Sequence, residues 1–225
     1  MPAGAEEYGV ADFINEVDEE VRRERMQKLW KRWSPLAIGA VVLLLAAVGG
    51  WQVWQGWRAD KAAAASAAFR AALTEAQAGK PLEAAAAFGS LAGGDHDGYA
   101  LLARFQQAAN LIEGKDLPSA IKVFDAIAAD SGNAARFRDL ARYLAVFHGL
   151  DTMPADEARQ RLAVIAADSP WAGSATELKA LAELKAGEKD AARRLLTALA
   201  DDAGAPADLR GRAAEMLAAL GGPVE

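Results

Sequence analysis

Residues 120–128 read AIKVFDAIA, and three further stretches share their skeleton: AAAAFGSLA at 84–92, ARQRLAVIA at 158–166 and ARRLLTALA at 192–200. Each opens on alanine, places Phe or Leu four residues later and Leu or Ile seven later, and closes on alanine at the eighth. Those offsets lie on one face of an α-helix. The opening residues Ala84, Ala120, Ala158 and Ala192 stand 36, 38 and 34 residues apart. A recurrence of that length predicts an array of stacked helical units.

The surroundings of each copy agree. Twelve residues before the opening alanines stand Ala72, Ala108, Val146 and Ala180. Small side chains at these paired positions would let two successive helices approach closely. Gly79-Lys80-Pro81, Glu113-Gly114-Lys115-Asp116 and Ala186-Gly187-Glu188 read as tight joints, with glycine supplying the left-handed residue that ends the first helix. Pro118, Pro154 and Pro206 are expected in first turns, where a missing N–H costs little. From Pro206 to Leu220, the spacing of Leu209, Ala213, Met216, Leu217 and Leu220 predicts a closing helix over the last pair.

This pattern resembles the tetratricopeptide repeat, a helical hairpin of ~34 residues with small side chains where its two helices meet. The resemblance covers roughly residues 64–203. The family's early tryptophan and its tyrosine are missing, and its late proline survives only as Pro170. What the resemblance implies is a protein-binding surface built from the first helices of the repeats.

Upstream, Pro35 to Val53 carries no charge, and Gln52 is its only strongly polar side chain. Nineteen helical residues cover about 28 Å, close to the hydrocarbon thickness of a bilayer. Trp30 and Trp33 precede the run and Trp51, Trp54 and Trp57 follow it, where indole rings favour the headgroup layer. The segment is therefore expected to span a membrane. Arg22, Arg23, Arg25, Lys28, Lys31 and Arg32 lie before it, against Arg58 and Lys61 close after it. That asymmetry places the N-terminus in the cytoplasm. Ala47-Val48-Gly49 loosely fits a cleavage site, but 21 residues without a basic side chain make too long a leader, so an uncleaved anchor is expected. Ala46-x-x-x-Gly50 has the spacing of associating membrane helices, which alone assigns no oligomeric state.

Residues 1–21 hold seven acidic side chains and no basic one. Phe13, Val17 and Val21, with the pairs Asp18/Arg22, Glu19/Arg23 and Glu24/Lys28, predict a helix over about 11–33. Residues 58–225 carry 19 basic and 23 acidic side chains, a net of −4, which gives no electrostatic case for nucleic acid. The chain has no cysteine. Disulfides, thiol nucleophiles and cysteine-ligated zinc are excluded, and the composition suits an oxidising compartment such as the bacterial periplasm.

The order of these parts narrows the family. Asp12-Phe13-Ile14, then EEVRRER at 19–25, then LWKRW at 29–33 running into one span before an alanine-rich array, resembles the ancillary subunit of the SecYEG translocon. That resemblance implies a bacterial inner-membrane adaptor with a periplasmic tetratricopeptide-like domain, working with a membrane-anchored periplasmic chaperone of the prolyl-isomerase class. It brings no catalytic residue.

The residues themselves offer little chemistry. Asp95-His96-Asp97 could suggest a cation loop, but Tyr99 and Gln106 stand where an EF-hand needs acids. The segment reads instead as an inter-repeat loop with Asp97 capping the next helix. His148, between Phe147 and Gly149, reads as a core or groove residue. Asp156-Glu157 and Asp201-Asp202 read as helix-end carboxylates. No catalytic, metal-ligating or cofactor-binding residue is assigned.

The expected architecture is all-α: one N-terminal transmembrane helix, a tetratricopeptide-like repeat array and a C-terminal capping helix. Its parts are a cytoplasmic tail at 1–33, the span at 34–57 and a periplasmic domain at 58–225. The expected function is a membrane-anchored protein-binding adaptor of the Sec translocon. A cell-envelope scaffold unrelated to secretion is the second reading, and an anchored enzyme a remote third.

Overall fold

Alanine decides how closely the helices of this chain approach, and the structure is built around those approaches. The computed structural model describes the backbone of residues 7–93 and 97–222, with side chains from Trp30 onward except at 32, 35, 37, 97 and 98. Among the described residues every regular element is an α-helix. In chain order these are α1 (Glu7–Gln77), α2 (Pro81–Ala92), α3 (Asp97–Glu113), α4 (Leu117–Ala129) and α5 (Ala135–Gly149). Then follow α6 (Ala155–Ala163), α7 (Ala172–Ala186), α8 (Lys189–Asp201) and α9 (Ala207–Ala219). The chain divides into two units, residues 1–60 and 61–225.

Within the first unit, Leu36, Val41, Leu43, Leu44 and Leu45 are exposed together with the five clustered tryptophans. Gly39, Gly49, Gly50 and Gly56 face open space. The stretch from Ile38 holds a window of mean hydropathy 1.6, none of it buried, so this helix is long and apolar enough to cross a membrane. Trp51 and Trp54 meet at 5.0 Å, and the Arg58 guanidinium lies 4.7 Å from the Trp54 ring. The expected helix near 11–33 is part of α1, which starts at Glu7 and runs on through Pro35. The Phe13/Val17/Val21 stripe and its neighbouring ion pairs fall on side chains outside those described.

In the second unit the helices follow one another as hairpins: the end of α1 with α2, α3 with α4, α5 with α6, and α7 with α8. The alanines that defined the repeat line the seams. Ala72, Ala108, Val146 and Ala180 are buried on the first helices, and Ala84, Ala120, Ala158 and Ala192 on the second. Around each seam lies one apolar cluster. Phe88 and Leu91 fill the first, Phe124 and Ile127 the second, Leu162 and Ile165 the third, and Leu196 and Leu199 the fourth. Each such side chain contributes roughly 1.5–3 kcal/mol on leaving water. Helix α9 closes the series, with Leu209, Ala213 and Leu217 buried in the last cluster.

The third copy departs from the expected helical face. Helix α6 ends at Ala163, so Ile165 and Ala166 lie beyond it. Two successive β-branched residues, Val164 and Ile165, weaken helix continuation there. Ile165 is still buried, whereas Ala166 is exposed.

Three joints share one backbone device. Lys80 N donates to Glu75 O at 3.1 Å, Asp116 N to Leu111 O at 2.8 Å and Glu188 N to Glu183 O at 2.9 Å. These six-to-one bonds, around a left-handed residue, are Schellman closures. The left-handed residue is Gly79 (φ 73°) in the first joint and Gly187 (φ 84°) in the last. The middle joint corrects the expectation: Lys115, not Gly114, takes the positive φ, at 63°. Gly114 answers a different need, because a Cβ there would stand 2.5 Å from Leu82 Cδ2 of the preceding repeat.

Prolines mark the helix starts. Pro81 opens α2 and Pro118 lies in the first turn of α4, where the Asp116 carboxylate accepts from Ser119 N at 3.2 Å. Pro154 and Pro206 sit one residue earlier than expected, at the N-cap positions of α6 and α9.

Candidate protein-binding surface

The first helices of successive repeats leave clefts between them. One, of 350 Å³, opens between α3 and α5. Phe105, Ala109 and Ile112 come from α3, Leu144 and His148 from α5, and Phe124 of α4 lies among them. A second, of 270 Å³, opens between α5 and α7 and is lined by Tyr143, Phe147, Leu178 and Leu181 together with Ser174, Glu177 and Arg212.

A connected series of six rings joins the two clefts. Trp171 stacks on Tyr143 at 6.2 Å, Tyr143 on Phe147 at 5.7 Å, and His148 meets Phe147 edge-on at 5.0 Å. His148 in turn stacks on Phe124 at 6.4 Å with planes 6° apart, and Phe124 meets Phe105 at 6.3 Å. The spacing of helix α5 explains its part: Tyr143 and Phe147 are one turn apart, and His148 follows on the neighbouring face. Phe147 is 53% exposed, more than the half-buried Tyr143 and His148 it touches. An exposed aromatic in the wall of one cleft and in ring contact with His148 of the other has the composition of a protein contact surface.

Polar groups hold this surface in place. The Trp171 indole N–H donates to Arg136 O at 2.9 Å. Lys185 Nζ donates to Leu150 O, Asp151 O and Met153 O at 2.6, 2.8 and 2.7 Å, so one ammonium uses its three donors on the turn after α5. Arg212 of α9 grips Glu177 of α7 through parallel bonds of 2.9 and 3.0 Å. Arg161 of α6 forms a two-point pair with Asp125 of α4 and a 2.7 Å contact with Glu157. Several of these ties connect positions 34–36 residues apart, one repeat length.

The electrostatics follow. Burial lowers the His148 pKa from the ordinary histidine value. The Tyr143 phenol is raised, first by burial and then by the Glu177 charge, against a smaller opposing effect of Arg212. The hydrogen bonds that Arg212 donates to the Glu177 carboxylate raise its pKa, so the guanidinium stays charged at any ordinary pH.

The residues singled out by sequence are dispersed. His148 lies in the first cleft, as a groove position. Asp156 and Glu157 occupy the first turn of α6 and pair with Arg159 and Arg161 at 2.8 and 2.7 Å. Asp201 ends α8, and the Asp202 carboxylate accepts from Gly204 N at 2.9 Å. His96 and the side chains of Asp95 and Asp97 lie outside the described residues. Among the described residues no three His, Asp or Glu side chains come together as a metal site. The ring series escaped sequence reading, because its members come from four separate segments.

Residues 27–211 match the family model of the tetratricopeptide repeat-like domain. The chain belongs to this family. The tetratricopeptide-like array is also similar in fold to a solved structure of nearly identical TPR-like repeats from a Podosopora anserina kinesin light chain. The TM-score is 0.53 at 14% identity, over 69% of this chain and 84% of that one. No curated protein matches the chain by sequence. A tetratricopeptide-like array is a protein-binding fold.

Proposed function

We propose that this protein is a single-pass adaptor of the bacterial inner membrane, with a cytoplasmic tail at 1–33, a span at 34–57 and a periplasmic array at 58–225. Its array would bind a segment of a membrane-anchored periplasmic chaperone and hold it beside the Sec translocon. The observation that carries the binding role is exposed Phe147, which lines the cleft between α5 and α7 beside the apolar cleft between α3 and α5. The translocon assignment is supported by the order of acidic tail, basic cluster, span and array. The occupant is a protein segment with uncharged apolar anchors, because Phe105, Ala109, Ile112, Phe124 and Leu144 present no charge to match. No step of bond chemistry is required; confinement at the membrane raises the effective concentration of the partner, up to the millimolar range for short tethers.

Photocrosslinking in intact membranes tests this. A photoreactive residue at Ala109, exposed in the first cleft, should capture the periplasmic segment of a translocon-associated chaperone. One at Ala87, exposed on α2, should not. Capture at Ala109 of cell-wall or division proteins alone would replace the Sec assignment with the envelope-scaffold reading. Equal capture from both positions would remove the cleft from the account.

A further inference from the structure

We infer that the cleft where α2, α3 and α4 meet is a second docking site, one that takes a carboxylate side chain from an acidic protein segment. It lies on a different side of α3 from the aromatic surface. Arg104 and Gln107 line it, whereas Phe105, Ala109 and Ile112 of the same helix line the cleft toward α5. At about 3.6 residues per turn the two sets point well over a right angle apart. The cleft, of 330 Å³, is walled in part by the small residues Gly89, Ala92, Gly93 and Ala126, which let another backbone come close. Its polar lining is Arg104, Gln107 and Lys122: two cations and an amide, with no carboxylate beside them.

Each polar group is held or freed by an identifiable neighbour. The Gln107 amide nitrogen lies 2.7 Å from where a Cβ on Gly89 would stand, so α2 forgoes a side chain to admit it. Arg104 donates to Asp130 Oδ2 at 2.9 Å, which anchors the guanidinium and uses one of its five N–H donors. Among the described residues no carboxylate pairs with Lys122, because Asp125, one turn further along α4, is held by Arg161. One uncommitted ammonium and a guanidinium partly spent on Asp130 suit the single charge of a carboxylate better than the double charge of a phosphate. The equivalent cleft in the last repeat supplies the contrast. There Lys179 replaces Gln107, each one residue before a seam alanine, and Ala198 replaces Ala126, but Asp202 joins the lining. That cleft carries its own carboxylate, and the one beside α4 does not. Residues 58–225 carry a net of −4, so the general field repels an acidic segment and binding must come from a local match.

The test uses full-length protein in detergent micelles and a fluorescent peptide of alternating glutamate and alanine, followed by anisotropy. The peptide should bind saturably, and its glutamine counterpart at least about tenfold more weakly, the scale of a charge-assisted hydrogen bond. Lys122 is exposed, so its replacement leaves the fold intact. Lys122→Gln should weaken glutamate-peptide binding by a similar factor, Lys122→Arg should retain it, and Lys122→Glu should shift preference to a lysine–alanine peptide. Lys189→Gln removes an exposed lysine on α8 and should leave binding unchanged. Equal weakening by Lys189→Gln would reduce the effect to general electrostatics and overturn the inference. Failure of the glutamate peptide to saturate would do the same. Displacement of the peptide by inorganic phosphate at lower concentration than by acetate would overturn the choice of a carboxylate. Binding to phosphatidylglycerol vesicles without binding to the peptide would assign the cleft to lipid instead and equally overturn it.

Discussion

The side chain of Leu82 occupies the space that a Cβ on Gly114 would need, with its Cδ2 2.5 Å from that position. Two consecutive repeats thus meet through a missing side chain. Gly114→Ala should force Leu82 to move. Because Leu82 is 51% exposed and can swing outward, the cost should be about 1 kcal/mol, the low end of overpacking penalties. In a Leu82→Ala background the same substitution should cost measurably less, the mark of coupled neighbours. Equal costs in both backgrounds, by chemical denaturation, would show that the two residues do not meet.

Lys115 carries a left-handed backbone that its counterparts Gly79 and Gly187 adopt without steric cost. Lys115→Gly should therefore stabilise the array by about 0.5–1 kcal/mol, the relief of a left-handed Cβ less the added freedom of the unfolded chain. A lower denaturation midpoint in the variant would contradict the shared geometry of the three joints.

Phe147 offers the functional counterpart. Being 53% exposed, it should tolerate Phe147→Ser with a change in Tm far smaller than that of a buried ring. If its ring anchors a partner, chaperone-segment binding should weaken at least about tenfold, as expected for a central aromatic contact. Unchanged affinity in a titration with that segment would place recognition elsewhere.

Orientation can be read independently. A phosphatase that folds only outside the cytoplasm, fused after Glu225, should be active, given the six basic residues before the span. Activity from a reporter restricted to the cytoplasm would reverse the orientation.

The parts legible in sequence were those that depend on local spacing. Ala84, Ala120, Ala158 and Ala192 declared the seams because a helix repeats its face within eight residues, and all four are buried. Spacing alone did not reveal that α6 stops before Ile165 and Ala166, since β-branched residues weaken a helix without forbidding it. Nor did it separate the two uses of glycine. Gly114 looked like a left-handed stop, whereas the constraint on it comes from Leu82, 32 residues earlier. The ring series from Trp171 to Phe105 depends on four segments meeting in space. Only its Tyr143/Phe147 pair leaves a mark in the chain.

The bonds from Trp171 to Arg136, Lys185 to Leu150 and Arg212 to Glu177 all span 35 residues, and Arg161 to Asp125 spans 36. They act as stitches between equivalent places in successive units, so the length of the array is effectively quantised. An insertion or deletion of a few residues inside one unit would pull stitches out of alignment toward both neighbours. Removing a whole unit would instead bring matching edges face to face. Evolution along this chain should therefore be most permissive in complete periods, and least so in fractions of one.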